Sequence, residues 1–198
     1  MPLRYFLPLY LAAYFFAAFF WRSLVVWKRT GVNPVVFKGA DNAHDFAGQV
    51  FKLLFAAVVA AVVVYSTSGR LYQYLTPITW LELPWLRTAG VILLLASLAW
   101  TVRAQAQMGE SWRIGIDEEH RTPLVRRGAF GLSRNPIFLG MMVTLAGLFL
   151  VIPNAVTLLV FVLGVVLIQI QVRLEEKFLG GVHGEEYAEY RRRVRRWL

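Results

Sequence analysis

A group of polar side chains near the end of the last apolar segment could form a reactive pocket. Gln169, Arg173 and Glu176 are spaced i, i+4 and i+7, so a helix would place all three on one face. Ionisable groups at membrane depth are costly and usually face a partner or a wet cavity. The spacing therefore predicts one wall of a polar pocket. A helix that had simply reached the membrane interface would carry the same residues in solvent.

A glycine-containing turn lies ahead of a predicted helix start. Gly128 and Gly131 allow the backbone to approach a ligand closely. Ser133 or Asn135 can cap a helix whose first turn contains Pro136. The segment therefore predicts a ligand-accessible turn followed directly by a helix.

The C-terminal tail has an amphipathic pattern. Tyr187, Tyr190, Val194 and Trp197 recur at i, i+3, i+7 and i+10, which predicts one apolar helical face. Such a helix could close over a pocket, or it could lie on anionic lipid through the five arginines of the tail.

Other constellations carry weaker signals. Asp41, His44 and Asp45 could ligate a metal, but acidic residues at this spacing more often mark a helix N-terminus. The segments 111–113 and 117–120 are predicted to form a solvated loop with Trp112 at the interface.

The chain has no cysteine, which excludes disulfides and thiolate metal sites. Its three histidines (the third, after His44 and His120, is His183) form no evident triad, which disfavours nucleophilic hydrolysis.

The elements that position these groups are predicted to cross a membrane. Of 198 residues, 58% are hydrophobic and 17% are charged, against about 25% charged in soluble domains. Apolar runs at 5–27, 46–68, 83–102, 136–152 and 155–172 predict about five transmembrane helices. Pro153-Asn154 separates the last two runs and predicts a tight hairpin with two short arms. The fold class is therefore an all-α polytopic membrane helix bundle with a C-terminal helix, forming a single membrane domain over 1–198.

The basic residues predict the orientation of the bundle. Seventeen of the 21 Lys and Arg residues fall in segments 28–52, 103–135 and 173–198. Because cytoplasmic loops carry excess Lys and Arg, the N-terminus is expected outside and the C-terminus in the cytoplasm, in a prokaryotic inner membrane. The first span lacks a basic n-region and a small-residue cleavage site, so we expect it to remain in the mature protein.

Several motifs occur in the order found in one family. The chain resembles the integral membrane methyltransferases typified by isoprenylcysteine carboxyl methyltransferase, with phospholipid methyltransferases as relatives. The resemblance runs from Met108 to the end and rests on Met108-Gly109, Trp112-Arg113, Leu124-Val125, Gly128, Arg134-Asn135-Pro136-Ile137-Phe138-Leu139-Gly140, Glu175-Glu176, and Gly184 with Tyr187 and Tyr190.

This resemblance implies an S-adenosylmethionine-dependent methyltransferase, with S-adenosylhomocysteine as product and a cofactor pocket on the cytoplasmic side. The N-terminal part, 1–102, would supply three spans, and 103–198 would bind the cofactor through a helical hairpin and a C-terminal lid. By similarity, the turn at 128–130 would contact the adenosine through its backbone, and one glutamate would face the methionine ammonium. The implied catalytic residues are Glu175, Glu176 and Asn135. The implied cofactor-binding residues are Leu124, Val125, Gly128, Ala129, Phe130, Arg134, Asn135, Pro136, Phe138, Leu139, Gly140, Glu175, Glu176, Tyr187, Tyr190 and Arg191, and no metal is implied.

Two positions depart from the family pattern, because Asn135 replaces a histidine and Phe138 replaces a tyrosine. The expected acceptor is a membrane-borne or lipophilic carboxylate, amine or thiol, with membrane lipid and no nucleic acid as partner. A carboxylate or thiolate methyl acceptor needs no general base. An amine methyl acceptor must lose a proton, and Glu175 or Glu176 would then be the base that takes it. The alternatives are an NADPH-dependent membrane reductase resembling sterol reductases and a non-enzymatic lipid-binding membrane protein.

Overall fold

The computed structural model describes residues 2–36, 42–115 and 122–198, and this part of the chain is helical and contains no strand. Its helices are α1 (Leu3–Thr30), α2 (Ala43–Thr67), α3 (Pro84–Met108), α4 (Pro136–Val151), α5 (Ala155–His183) and α6 (Glu185–Arg193). Short helical turns occur at Gly69–Tyr72, Gln73–Leu75, Thr79–Leu81, Gly109–Ser111 and Gly128–Gly131. The all-α class is confirmed.

Four of these helices are long and apolar enough to cross a membrane, namely α1, α2, α3 and α5. Large apolar side chains such as Phe20, Leu53 and Ile92 point outward and are more than half exposed. A water-soluble protein rarely exposes so much apolar surface. The bundle is therefore an integral membrane protein, in which four long helices are accompanied by the shorter apolar helix α4.

The first helix is interrupted by a π-helical segment at Phe16–Trp21. Within it, the Ala18 carbonyl accepts a hydrogen bond from Gln105 Nε2 of α3 at 2.9 Å. One turn later the Arg22 guanidinium donates to the carbonyl of Gly109, just beyond α3. A π-bulge disturbs the regular backbone ladder, and here a neighbouring side chain pairs with a carbonyl of the segment. These contacts fix the second half of α1 against the end of α3.

Helix α2 begins with a side-chain cap. The Asn42 side chain accepts a hydrogen bond from the backbone N–H of Asp45 at 2.8 Å, and Asp45 lies buried in the first turn. The interpretation of His44 and Asp45 as residues of a helix N-terminus is confirmed, while Asp41 lies outside the described residues. In the described segments, no group of three or more His, Asp or Glu side chains is arranged to hold a metal ion.

Glycines allow α3 and α4 to pack very closely. A Cβ at Gly90 would lie 2.8 Å from the Gly147 carbonyl oxygen, and one at Gly140 would lie 2.2 Å from Thr101 Oγ1. Small residues permit such close backbone approach between membrane helices. Leu94, at 0% exposure, marks the centre of the main core, which α1, α2, α4 and α5 complete.

Helices α4 and α5 form the predicted hairpin. Asn154 caps α5 through a capping box with Thr157. The Pro153 carbonyl accepts from the backbone N–H of Ile78 at 2.9 Å, and the Ala155 N–H donates to Thr76 at 3.2 Å, so the loop at 76–78 covers the turn. The prediction of two short arms is wrong for α5, which runs to His183 and not to 172 because apolar positions continue along one face of its last turns.

We predict that Gly90→Ala lowers the stability of the bundle by about 1–3 kcal/mol, because the new methyl group meets backbone that cannot move aside. Unfolding in detergent should measure this cost. Gly181→Ala is the matched control, since nothing lies within 4 Å of its new Cβ. Equal stability of the two variants would contradict the close packing of α3 against α4.

Candidate active site

A cavity of about 430 Å³ opens beside the last turns of α5. Its apolar walls include Met108, Phe130, Phe178 and Leu179, and polar or charged side chains reach it at Ser111, Arg113, Arg134, Glu175, His183 and Tyr190. Pockets of 300–1,000 Å³ with apolar walls and a few polar groups are typical of small-molecule sites. The cavity is therefore the candidate active site.

One face of α5 supplies a whole wall of this cavity. Glu175, Phe178, Leu179, Val182 and His183 line it, at i, i+3, i+4, i+7 and i+8. This spacing follows one helical face over more than two turns. The extension of α5 past its predicted end therefore creates the wall.

The neighbouring Glu176 points to a different place. Its Oε1 accepts hydrogen bonds from Arg134 Nη2 at 3.0 Å, Asn135 Nδ2 at 3.1 Å and Arg196 Nε at 3.1 Å. Arg134 Nε adds a longer contact at 3.3 Å, and Oε2 accepts from Arg196 Nη2 at 2.8 Å. Only 7% of Glu176 is exposed. Its hydrogen-bond acceptor capacity is taken up by these protein donors. This carboxylate therefore holds other parts of the chain together and does not line the cavity.

Residues 194–196, which we call the C-terminal strap, are bound to the segment just before α4. The Arg134 backbone N–H donates to the Arg195 carbonyl at 2.9 Å, and Arg134 Nη1 donates to the Val194 carbonyl at 2.8 Å. Ser133 Oγ donates to the Arg196 carbonyl at 3.1 Å. The strap therefore holds the tail closed beside the cavity.

The strap also explains why the tail helix is shorter than predicted. Helix α6 ends at Arg193, and Val194 adopts extended backbone, so Val194 and Trp197 do not continue the helical face. The prediction of one helix over all four apolar positions is wrong because pairing with Ser133 and Arg134 requires an extended chain. Tyr187 and Tyr190 do lie buried on the inner face of α6.

The sequence offered Ser133 or Asn135 as the cap of α4, but the Asn135 side chain does not cap this helix. Its side chain donates to Glu176 and to the Arg196 carbonyl, and Ser133 Oγ accepts from the Asn135 N–H at 3.1 Å instead of from the helix. Pro136 occupies the first helical turn as predicted. The capping side chains are therefore diverted into the network around Glu176.

The glycine turn forms hydrogen bonds with other helices on both of its sides. Gly128 has φ +65° and the Gln107 side chain occupies the space of its missing Cβ, while Gln107 Oε1 accepts from the Ala129 N–H at 2.7 Å. The Phe130 carbonyl accepts from the Tyr190 hydroxyl at 2.6 Å. Of this turn, Phe130 lines the cavity and Gly128 does not.

The predicted wall of Gln169, Arg173 and Glu176 does not form. Arg173 is exposed and its long stem folds back along α5, so that Nη1 donates to Gln169 Oε1 at 2.9 Å. Glu176 alone turns inward. The spacing is helical as expected, but the flexible arginine bonds along its own helix and leaves the pocket.

Six of the sixteen residues implied as cofactor-binding line the cavity: Leu124, Val125, Phe130, Arg134, Glu175 and Tyr190. The other ten lie outside its lining: Gly128, Ala129, Asn135, Pro136, Phe138, Leu139, Gly140, Glu176, Tyr187 and Arg191. Of these, Gly140 packs against Thr101, and Asn135 and Glu176 hold the strap.

Sequence reasoning missed several cavity residues. His183 follows Glu175 at i+8, a spacing that would have found it had α5 been predicted at its full length. Arg113 lies in the Trp112-Arg113 motif, but the family resemblance did not imply a place for it in the pocket.

The predicted interface position of Trp112 is wrong, since only 3% of its surface is exposed. Two residues further along, the Ile114 backbone forms hydrogen bonds with Pro34 and Val36, which hold this segment against the residues after α1. The segment 117–120 lies outside the described residues.

The family model for phospholipid methyltransferase matches residues 85–186, just over half of the chain. The chain belongs to the phospholipid methyltransferase family. No curated protein matches the chain. This family member is therefore a membrane methyltransferase, and the match contains α3 to α5 with Arg134, Glu175 and Glu176. The strap, α1 and α2 lie outside the matched range.

We predict that Glu176→Gln releases the strap, because the neutral amide leaves Arg134 and Arg196 without their buried counter-charge. Hydrogen exchange measured by mass spectrometry should become faster in the peptide that covers 187–198. Glu189→Gln is the control, since Glu189 pairs with Arg193 on the surface of α6. Unchanged exchange in the Glu176 variant would exclude this carboxylate as the anchor of the tail.

We predict that Tyr190→Phe costs about 1 kcal/mol of stability, the net value of one hydrogen bond. Burial raises the pKa of the Tyr190 hydroxyl well above its usual value, so the hydroxyl stays protonated and donates to Phe130. Because the folded pKa is raised, this contribution is fully present below the unfolded pKa of about 10 and is lost only as the pH rises through the folded value. The difference between variant and wild type should therefore be constant from pH 6 to 9 in thermal unfolding, and a slope in that window would contradict the assignment.

Proposed function

We propose that this methyltransferase binds S-adenosylmethionine in the cavity and transfers its methyl group to a lipid-borne acceptor at the cytoplasmic face of the membrane. The observation that carries the proposal is the position of Glu175. It is the one carboxylate among the described cavity residues, and it lies in a wall that is otherwise largely apolar and aromatic.

The side chains around the cavity fit each part of this cofactor. The Glu175 carboxylate suits the methionine ammonium, and Arg113 brings a positive charge suited to the carboxylate. Phe130, Phe178 and Tyr190 offer aromatic surface for the adenine. These three requirements are met within about 430 Å³, which supports a nucleoside-sized ligand.

When bound, the cofactor would supply an electrophilic methyl group on a sulfonium. The protein then has to position and desolvate the reacting groups, because in-line displacement depends on alignment. Apolar walls from Met108, Phe178 and Leu179 would limit the water around the reacting groups once the ligands are bound. If the acceptor is an amine it must lose a proton. Because Glu175 would already pair with the cofactor ammonium, His183 is the side chain among the described cavity residues with a basic atom to receive it. Glu176 is saturated by arginine and amide donors and is unsuited to that role.

The distribution of basic residues supports a cytoplasmic site. Arg103 at the end of α3, Arg126 and Arg127 before α4, and the arginines of α6 lie at the same end of the bundle as the cavity. Excess positive charge at one end of a membrane protein marks the cytoplasmic side. A soluble cofactor would then enter from the cytoplasm, while a lipid acceptor would enter from the bilayer.

We predict that Glu175→Gln weakens the binding of S-adenosylhomocysteine about 10- to 100-fold, which corresponds to the loss of one charged hydrogen bond. Isothermal titration calorimetry in detergent should measure the change. Glu185→Gln removes the same charge from an exposed glutamate of α6 that pairs with Arg192, and this variant should bind like the wild type. Equal affinities of the wild type and the two variants would show that Glu175 does not contact the cofactor.

The activity itself is tested with methyl-labelled S-adenosylmethionine and extracted membrane lipids. Label should appear in a lipid fraction, and S-adenosylhomocysteine should raise the melting temperature of the protein. Stabilisation by NADPH in place of either nucleoside would contradict the proposal and favour a reductase.

A further inference from the structure

A buried amide lies one helical turn before Glu175 on the same face of α5. Gln171 is 5% exposed, and its Nε2 lies 3.4 Å from Glu175 Oε1 and 2.8 Å from His44 Nδ1. Its Oε1 has no hydrogen-bond partner in the described part of the chain. The amide therefore makes both of its polar contacts through its nitrogen.

The chemistry of the three groups fixes the orientation of this amide. A carboxylate only accepts hydrogen bonds, so the Gln171 nitrogen must face Glu175. A turned amide would bring its oxygen against the carboxylate oxygen and repel it. Leaving a buried carbonyl oxygen unpaired costs free energy, which indicates that the contacts to Glu175 and His44 decide the orientation.

The second contact comes from a different helix. His44 lies in the first turn of α2, which begins at the Asn42 cap, and its Nδ1 accepts the hydrogen bond from Gln171. Helix α2 lies outside the range matched by the family model, 85–186, so the His44 contact brings an element outside that range to the edge of the site.

We propose that Gln171 is a positioning residue, anchored by His44 of α2, that holds the Glu175 carboxylate toward the cavity. The proposal rests on the proposed function, in which Glu175 receives the cofactor ammonium. Gln171 does not line the cavity, so it acts through Glu175 and not by touching the ligand. Two rigid helices thus determine where the negative charge of the site lies.

The test is a double-mutant cycle on S-adenosylhomocysteine binding, measured by calorimetry. Gln171→Met keeps the length of the side chain and removes the amide. We expect its Kd to rise about tenfold, the equivalent of one lost hydrogen bond. In a Glu175→Gln background the same substitution should change the Kd by less than about twofold, because no carboxylate is left to position.

Gln169→Met is the matched control on the same helix, since the Gln169 side chain bonds to the exposed Arg173 and does not line the cavity. It should bind like the wild type. If Gln171→Met does not yield monodisperse protein, His44→Phe replaces it in the same cycle and removes the anchor from the α2 side.

The outcomes separate the two proposals. If Glu175→Gln weakens binding but the amide substitution has no effect, or has an equal effect in both backgrounds, Gln171 is only a packing residue and the inference is overturned. If Glu175→Gln itself leaves the affinity unchanged, the assignment of the cofactor ammonium to Glu175 fails, and the positioning role fails with it.

Discussion

The buried carboxylate of Glu176 is the interaction on which the architecture of the site depends. It collects donors from the segment before α4, through Arg134 and Asn135, and from the C-terminal strap, through Arg196. These two segments are distant in sequence, and their side chains converge on one carboxylate of α5. A buried charge is tolerated only when it is paired and hydrogen-bonded. Because this carboxylate has to be satisfied, the tail is drawn onto the hairpin, and the cavity is bounded on that side.

The two adjacent glutamates divide their tasks because consecutive helical residues point about 100° apart. Glu176 faces the strap, and Glu175 faces the cavity with Gln171 behind it. The close contact of α3 with α4 supports this division. The glycine pair Gly90 and Gly147 brings the backbones together, and the end of α3 then carries Gln107 and Met108 to the turn and the cavity.

The sequence predicted what depends on local pattern. Apolar length gave the helices, Pro153-Asn154 gave the hairpin turn, and the ordered motifs gave the family. It did not predict conformations that depend on a distant partner. The backbone at Val194 is extended where Arg134 donates to its carbonyl, and Trp112 is buried in a segment in which Ile114 pairs with residues after α1. Neither partner lies within a window of helical periodicity. Nothing in the dipeptide Glu175-Glu176 indicated which carboxylate would be saturated by protein, since that depends on Arg196, which lies twenty residues further along the chain.

The covered turn between α4 and α5 also determines the depth of the bundle in the bilayer. Helix α4 rises about 24 Å, less than the roughly 30 Å of a hydrocarbon layer. Unpaired backbone cannot enter that layer, but the carbonyl of Pro153 and the N–H of Ala155 are paired with the loop at 76–78. The turn of the hairpin can therefore sit below the boundary of the hydrocarbon layer, so that the missing length is absorbed there. The opposite end, which carries the candidate site, can then stay at the level of the lipid headgroups without thinning of the bilayer around it.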